Sequence, residues 1–190
     1  MQAKLAEADQ MTIEEFLAFM DSRPDGERWE LIEGVAVMNA APTQWHQTIA
    51  ANLSYLLLTQ RNLTNANWAV MLGVGTRVPI SANSLPQPDV YVQQGAAQPT
   101  SVTDDALVIF EILSRSNTRA DRAWRKRVYA SVPNCQHYVT VATKTAEVIR
   151  HDRGDGWKGT TITGLDATLS MLAITTDIGL RDIYRGTPIT

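Results

Sequence analysis

The stretch Ala106-Leu107-Val108-Ile109-Phe110-Glu111-Ile112-Leu113 constrains the fold more than any other part of the chain. Apart from Glu111 it is apolar throughout. A strand with two apolar faces has no side to show to water, so it belongs in the middle of a sheet. Period-two alternation puts Leu107, Ile109, Glu111 and Leu113 on one face. A lone carboxylate there either sits in water at a strand end or has a partner, because burying it uncompensated is costly. Pro88-Asp89-Val90-Tyr91-Val92 repeats the pattern, an apolar run with one acid. A divalent cation shared by Asp89 and Glu111 would be such a partner, and an oxygen-rich site suits Mg²⁺ or Mn²⁺.

Composition narrows what could surround this pair. A length of 190 residues suits one domain with a sizeable core. The net charge of -3 excludes a basic coat on all sides but leaves room for a local basic patch. Cys135 is the single cysteine, which excludes an intramolecular disulfide framework and a Cys-rich zinc site. No Gly-x-Ser-x-Gly elbow is present to support a serine hydrolase. No apolar run approaches the roughly 18 residues of a membrane helix. Glu7 and Asp9 fall where a signal peptide would have its apolar core, so the expectation is a cytoplasmic protein. Residues 1–10 are expected to be a flexible lead-in and 11–190 a single domain.

Along the chain, Thr12 and Glu15 have the spacing of a capping box, with Ile13, Phe16, Leu17 and Met20 at helical intervals after it. Trp29 to Met38 reads as a hairpin turning at Glu33-Gly34, with Gly34 supplying a positive φ. Glu30 and Glu33 then face opposite sides, and the simplest reading leaves both exposed. Pro42-Thr43 opens a helix expected over 44–60, with Ile49, Leu53, Leu56 and Leu57 as its apolar stripe. His46 lies near that stripe, either packed and hydrogen-bonded or acting as a ligand. Residues 62–67 read as a loop, and strands are expected at 68–72 and 76–80. A polar loop spans 93–105.

A helix is expected over 119–131. Arg115, Arg119, Arg122, Arg125, Lys126 and Arg127 crowd into and just before it. Such a run is either a solvated face or a phosphate-binding surface beside the carboxylates. Strands at 136–141, 146–150 and 157–163 form a meander, and 165–184 covers a sheet face or an edge.

Glu30-Leu31-Ile32-Glu33-Gly34, His46, Pro88-Asp89, Phe110-Glu111-Ile112-Leu113-Ser114 and Asp121 to Tyr129, in that order, resemble the Uma2 family. This family, also called DUF820, consists of restriction-endonuclease-like proteins of the PD-(D/E)XK nuclease superfamily. The resemblance implies an α/β fold with a restriction-endonuclease-like core: a mixed central sheet flanked by helices, with a C-terminal β-meander. It implies that Asp89, Glu111 and the backbone carbonyl of Ile112 bind Mg²⁺ or Mn²⁺. The implied partner is nucleic acid, DNA in the first instance, and homodimers are common in the superfamily. The superfamily's lysine two residues after the glutamate falls on Leu113, and the family's lysine four residues before a tyrosine falls on Arg125. Arg125 or Lys126 is then the cationic catalytic group, with Asp121 one turn earlier as the partner of Arg125. Glu30, Glu33 and His46 are further site candidates, and Arg115, Arg119, Arg122 and Arg127 are candidates for contacting nucleic acid. The expected function is metal-dependent phosphodiester hydrolysis. The alternative is a catalytically impaired nuclease fold that binds nucleic acid or a protein partner, because arginine does not exchange protons as lysine can.

Overall fold

The computed structural model describes residues 10–24, 26–114 and 117–189. The expected lead-in, apart from Gln10, and Arg115 lie outside the described residues. In chain order the elements are α1 (Ile13–Asp21), β1 (Trp29–Ile32), β2 (Val35–Met38), α2 (Gln44–Thr64), β3 (Trp68–Met71), β4 (Gly75–Thr76), β5 (Val90–Gln94), β6 (Val102–Thr103) and β7 (Val108–Ile112). They continue with α3 (Arg119–Ala130), β8 (His137–Val141), β9 (Glu147–Asp152), β10 (Gly159–Thr163), β11 (Thr168–Met171), β12 (Thr176–Gly179) and α4 (Leu180–Ile183).

Six strands form the central sheet in the order β10-β9-β8-β7-β5-β3. The β7–β8 pair is parallel and the others are antiparallel, so the sheet is mixed, and β8 to β10 make the expected meander. β7 is an inner strand, as its two apolar faces require. Val108, Phe110 and Ile112 join Ile49, Leu53 and Leu57 of α2 in one core. The β11–β12 hairpin and α4 close this same core through Leu169, Ile178 and Ile183, so the C-terminal segment covers a sheet face. Ile109 points the other way, into a core with Tyr91, Tyr138, and Val128 and Tyr129 of α3.

α1 and the β1–β2 hairpin form a third cluster around Phe16, Leu31 and Leu85. The capping box is present: Thr12 Oγ1 accepts from the Glu15 N–H at 3.2 Å, and the Thr12 N–H donates to Glu15 Oε2 at 2.8 Å. The hairpin turns on Glu33 (φ 50°) and Gly34 (φ 79°), the two positive φ angles that match the twist of paired strands. The Glu33 N–H donates to Ser84 Oγ at 2.8 Å, and the Gly34 N–H to the Asn83 carbonyl at 2.7 Å. These bonds fasten the turn to the loop that leads into β5.

Several boundaries differ from expectation: β9 runs on to Asp152, β10 starts at Gly159, and the loop expected over 93–105 contains the short strand β6. α2 runs on to Thr64, because nothing from Arg61 to Thr64 breaks a helix and Asn65 supplies the left-handed cap (φ 50°). The expected strand over 76–80 is reduced to β4, since Pro79 has no N–H for a ladder. β5 extends to Gln94, so the following loop begins two residues later than expected.

Candidate active site

β5 and β7 pair with Val90 opposite Phe110. Continued by one residue, that register sets Asp89 opposite Glu111, at the C-terminal end of β7. Asp89 Oδ2 accepts from the Ile112 N–H at 2.8 Å and lies 3.2 Å from His46 Nε2. His46 is in the first turn of α2, where Thr43 Oγ1 caps its N–H at 3.3 Å, so the start of α2 fixes the imidazole against Asp89. Arg28 Nη2 stands 3.6 Å from Asp89 Oδ1.

Glu111 is 6% exposed. Its Oε1 accepts from Arg125 Nη1 at 3.0 Å and from the Tyr129 hydroxyl at 2.8 Å. Among the described residues its Oε2 takes no hydrogen bond. Arg125 also grips Glu30 with both terminal nitrogens, Nη1 to Oε1 at 3.0 Å and Nη2 to Oε2 at 2.7 Å. Its Nε donates to Asp121 Oδ1 at 3.3 Å. Asp121, Arg125 and Tyr129 recur every four residues, so one face of α3 carries all three. The Thr118 cap on the Asp121 N–H starts that helix, and Asn117 Nδ2 donates to Asp121 Oδ2 at 2.9 Å. Glu30 is 1% exposed, and its Oε1 also accepts from the Gln87 N–H at 2.6 Å.

One guanidinium thus faces three carboxylates, and it does not serve them equally. Burial pushes Glu30 up, but the charge and hydrogen bonds of Arg125, with the Gln87 N–H, outweigh it and hold Glu30 below its ordinary pKa. Burial pushes Glu111 up as well, to about 8, with Asp89 and Glu30 repelling its charge and Arg125 and Tyr129 only partly offsetting them. Arg125 itself is held well above its ordinary value, because Glu111 and Glu30 outweigh the cost of its burial. Two acids on one cation are therefore pushed apart: Glu30 ionised, Glu111 in need of a proton or a further cation near neutral pH.

These groups open onto a groove of about 760 Å³, walled by Arg28, Glu30, Trp45, His46, Asp89, Glu111, Arg125 and Lys144 among others. Most of the sequence-predicted residues meet here: Asp89, Glu111, Ile112, Arg125, Glu30 and His46 line the groove, and Asp121 holds Arg125 from behind. His46 is buried and hydrogen-bonded, with Asp89 as its partner. The expectation that both hairpin acids are exposed fails for Glu30, which turns inward because β1 is covered on both faces. Glu33 stays outside, 3.0 Å from Trp124 Nε1 and 3.7 Å from Arg127 Nη2.

Lys126 does not line the groove; it is half-buried and its charge is felt by His151 on β9. Arg119, Arg122 and Arg127 are exposed on α3 and also stand outside the groove lining. Sequence reasoning missed Arg28, Lys144 and the Gln87 N–H, and used Tyr129 only as a spacing mark. The i+4 step from Arg125 could have flagged Tyr129; Arg28 and Lys144 carry no local signal. Among the described residues, no three His, Cys, Asp or Glu side chains are grouped so as to hold a metal ion by themselves. No helix among them is long and apolar enough to cross a membrane.

The family described as "Uma2: Putative restriction endonuclease" matches residues 13–181. No curated protein matches the sequence. Among solved structures the chain is similar to "a putative nuclease belonging to DUF820 from Anabaena variabilis ATCC 29413", with a TM-score of 0.74 and 14% identity. That likeness covers 92% of this chain and 97% of the other, and shows that the two share a fold.

Proposed function

Because the chain belongs to the Uma2 family of restriction-endonuclease-like proteins, we propose that it is a metal-dependent nuclease acting on the phosphodiester bonds of nucleic acid, DNA in the first instance. The observation that carries this reading is that Asp89, just before β5, and Glu111, on the antiparallel strand β7, both line the wall of one groove. The donor set fits a hard divalent cation. Glu111 Oε2 has no hydrogen-bond donor among the described residues, and Asp89 Oδ1 has only Arg28 at 3.6 Å. Mg²⁺ is commonly held by one or two carboxylates, with waters and substrate phosphate completing its shell. Asp89 and Glu111 would hold it, with the Ile112 backbone carbonyl as a third ligand. Mg²⁺ or Mn²⁺ so held polarises a phosphoryl oxygen and lowers the pKa of bound water.

The remaining residues have distinct roles in this reading. The Ile112 N–H and His46 occupy Asp89 Oδ2, which leaves Oδ1 for the groove. Arg125 stays charged at any working pH, so it orients Glu111 and adds positive potential without exchanging a proton. Lys144 is the lysine that lines the groove among the described residues. Arg119, Arg122 and Arg127 of α3, with Arg115, would meet the backbone farther along the strand.

The Asp89→Asn variant should lose Mg²⁺-dependent cleavage of a nucleic-acid substrate while its far-UV circular dichroism stays that of the parent. Undiminished cleavage by that variant would overturn the reading. One observation favours a second reading, a nuclease fold that binds without cutting: the cation facing Glu111 is an arginine already engaged by three acids. Its signature would be binding that weakens steeply with salt, with no cleavage in Mg²⁺ or Mn²⁺.

A further inference from the structure

We propose that Trp45 is a base-stacking platform, so that the groove takes an unpaired nucleotide from a single-stranded or locally opened nucleic acid. This rests on the nuclease reading of the groove and adds the form of its substrate.

The five tryptophans are not alike. Trp29 and Trp68 are buried. Trp124 donates its indole N–H to Glu33, and Trp157 lies under the Arg153 guanidinium. Trp45 is 44% exposed and has no hydrogen-bond or ring partner among the described residues. Single exposed apolar side chains are ordinary and need no explanation. Trp45 differs in position: it lines the groove, and it precedes His46, whose imidazole touches Asp89. An indole there stands within a residue's reach of the group that would hold the scissile phosphate.

The form of the substrate follows from what such a ring can touch. In a duplex the base faces are covered by their neighbours, and only base edges are offered in the grooves. A base must leave the stack before a side chain can lie against its face. The groove volume of about 760 Å³ is in the range of sites that take a small ligand, large enough for one nucleotide. Its charge points the same way. Arg125 is neutralised by its acids and Arg28 stands 3.6 Å from Asp89, which leaves Lys144 as the cation of the lining with no ion pair among the described residues. Duplex binding draws on many phosphate contacts, whereas single-strand binding adds aromatic stacking to a modest basic track.

The test uses the full chain without divalent ions, so that nothing is cut, and a short fluorescent oligonucleotide offered single-stranded or annealed. Anisotropy should show tighter binding of the single strand. Trp45→Ala should weaken that binding at least about fivefold, the lower end of one base–aromatic stack. Trp45→Phe should keep most of the affinity, and duplex affinity should not change. Tyr55→Ala, an exposed α2 residue outside the groove lining, should change neither. Equal losses for both substrates, no loss, or no binding of the single strand would overturn the proposal. Cleavage by the parent chain with an affinity indifferent to Trp45 would remove the stacking role and leave the nuclease reading intact. Trp45-dependent binding without cleavage in Mg²⁺ or Mn²⁺ would do the reverse.

Discussion

β7 feeds two cores that solve different problems. Toward α2 it presents Val108, Phe110 and Ile112, which meet Ile49, Leu53 and Leu57. Toward α3 it presents Ile109 and then Glu111, and the apolar layer ends in the Glu111–Arg125–Glu30 cluster. Where it meets α2, the first core is held by close packing, which tolerates repacking. The second is held partly by charges that must stay matched, so losing one group exposes the cost of the others. Stability on the α2 side is local, and on the α3 side it is coupled across the chain.

The largest expected effect tests that coupling. Arg125→Met leaves Glu30 and Glu111 buried without their cation and should cost about 3–5 kcal/mol in urea unfolding. Adding Glu30→Gln to the same chain should restore at least half of the loss. Leu53→Ala on the α2 side should cost about 2–5 kcal/mol, the usual range for a buried leucine, and no change of a charged residue should restore it. Strict additivity of the Arg125 and Glu30 changes would erase the distinction between the two cores.

The pH dependence should come next in size. Glu111 is raised from 4.5 to about 8, chiefly by burial. An acid raised in the folded state binds more protons folded than unfolded across that interval. Its stabilisation is therefore fully present below about 4.5 and lost as pH rises through about 8. Unfolding midpoints in EDTA should fall across this window, and Glu111→Gln should flatten the fall. Mg²⁺ should flatten it too, by supplying the positive charge that the proton supplied. Leu53→Ala should lower the whole curve without changing its slope. A slope insensitive both to Glu111→Gln and to Mg²⁺ would count against the metal assignment.

The smallest effect belongs to the rim. Glu33 and Arg127 are 3.7 Å apart with both side chains 61% exposed. Glu33→Ala should cost no more than about 1 kcal/mol, as for exposed ion pairs in general. A larger loss would place Glu33 inside the coupled region rather than outside it.

What was legible in the sequence was local. The capping box at Thr12, the turn at Glu33-Gly34, the inner position of β7 and the i+4 pairing of Asp121 with Arg125 all rest on residues a few positions apart. What was not legible was long-range. Alternation puts Glu30 and Glu33 on opposite faces, but two identical residue types cannot say which face is inside. That choice is made by Arg125, 95 residues away. Arg28 and Lys144 become site residues only because the chain ends of β1, β5, β7 and β8 converge. The basic run before and within α3 was read as one feature and is two: Arg125 turns inward to three acids, while Arg119, Arg122 and Arg127 face solvent.

The two-residue turn at Glu33-Gly34 has a consequence for how this chain can change length. β1 is covered on both faces, with Glu30 against Arg125 and Leu31 in the apolar cluster around Phe16. Sliding β1 by a single residue would exchange those surroundings, giving a leucine to the guanidinium and a carboxylate to the apolar cluster. A slide of two restores the facing but carries Glu30 about 7 Å along the strand, out of reach of Arg125. The Glu30–Arg125 pair therefore pins β1 to one register, and changes of length in this hairpin should fall in its loop and leave the strand in place.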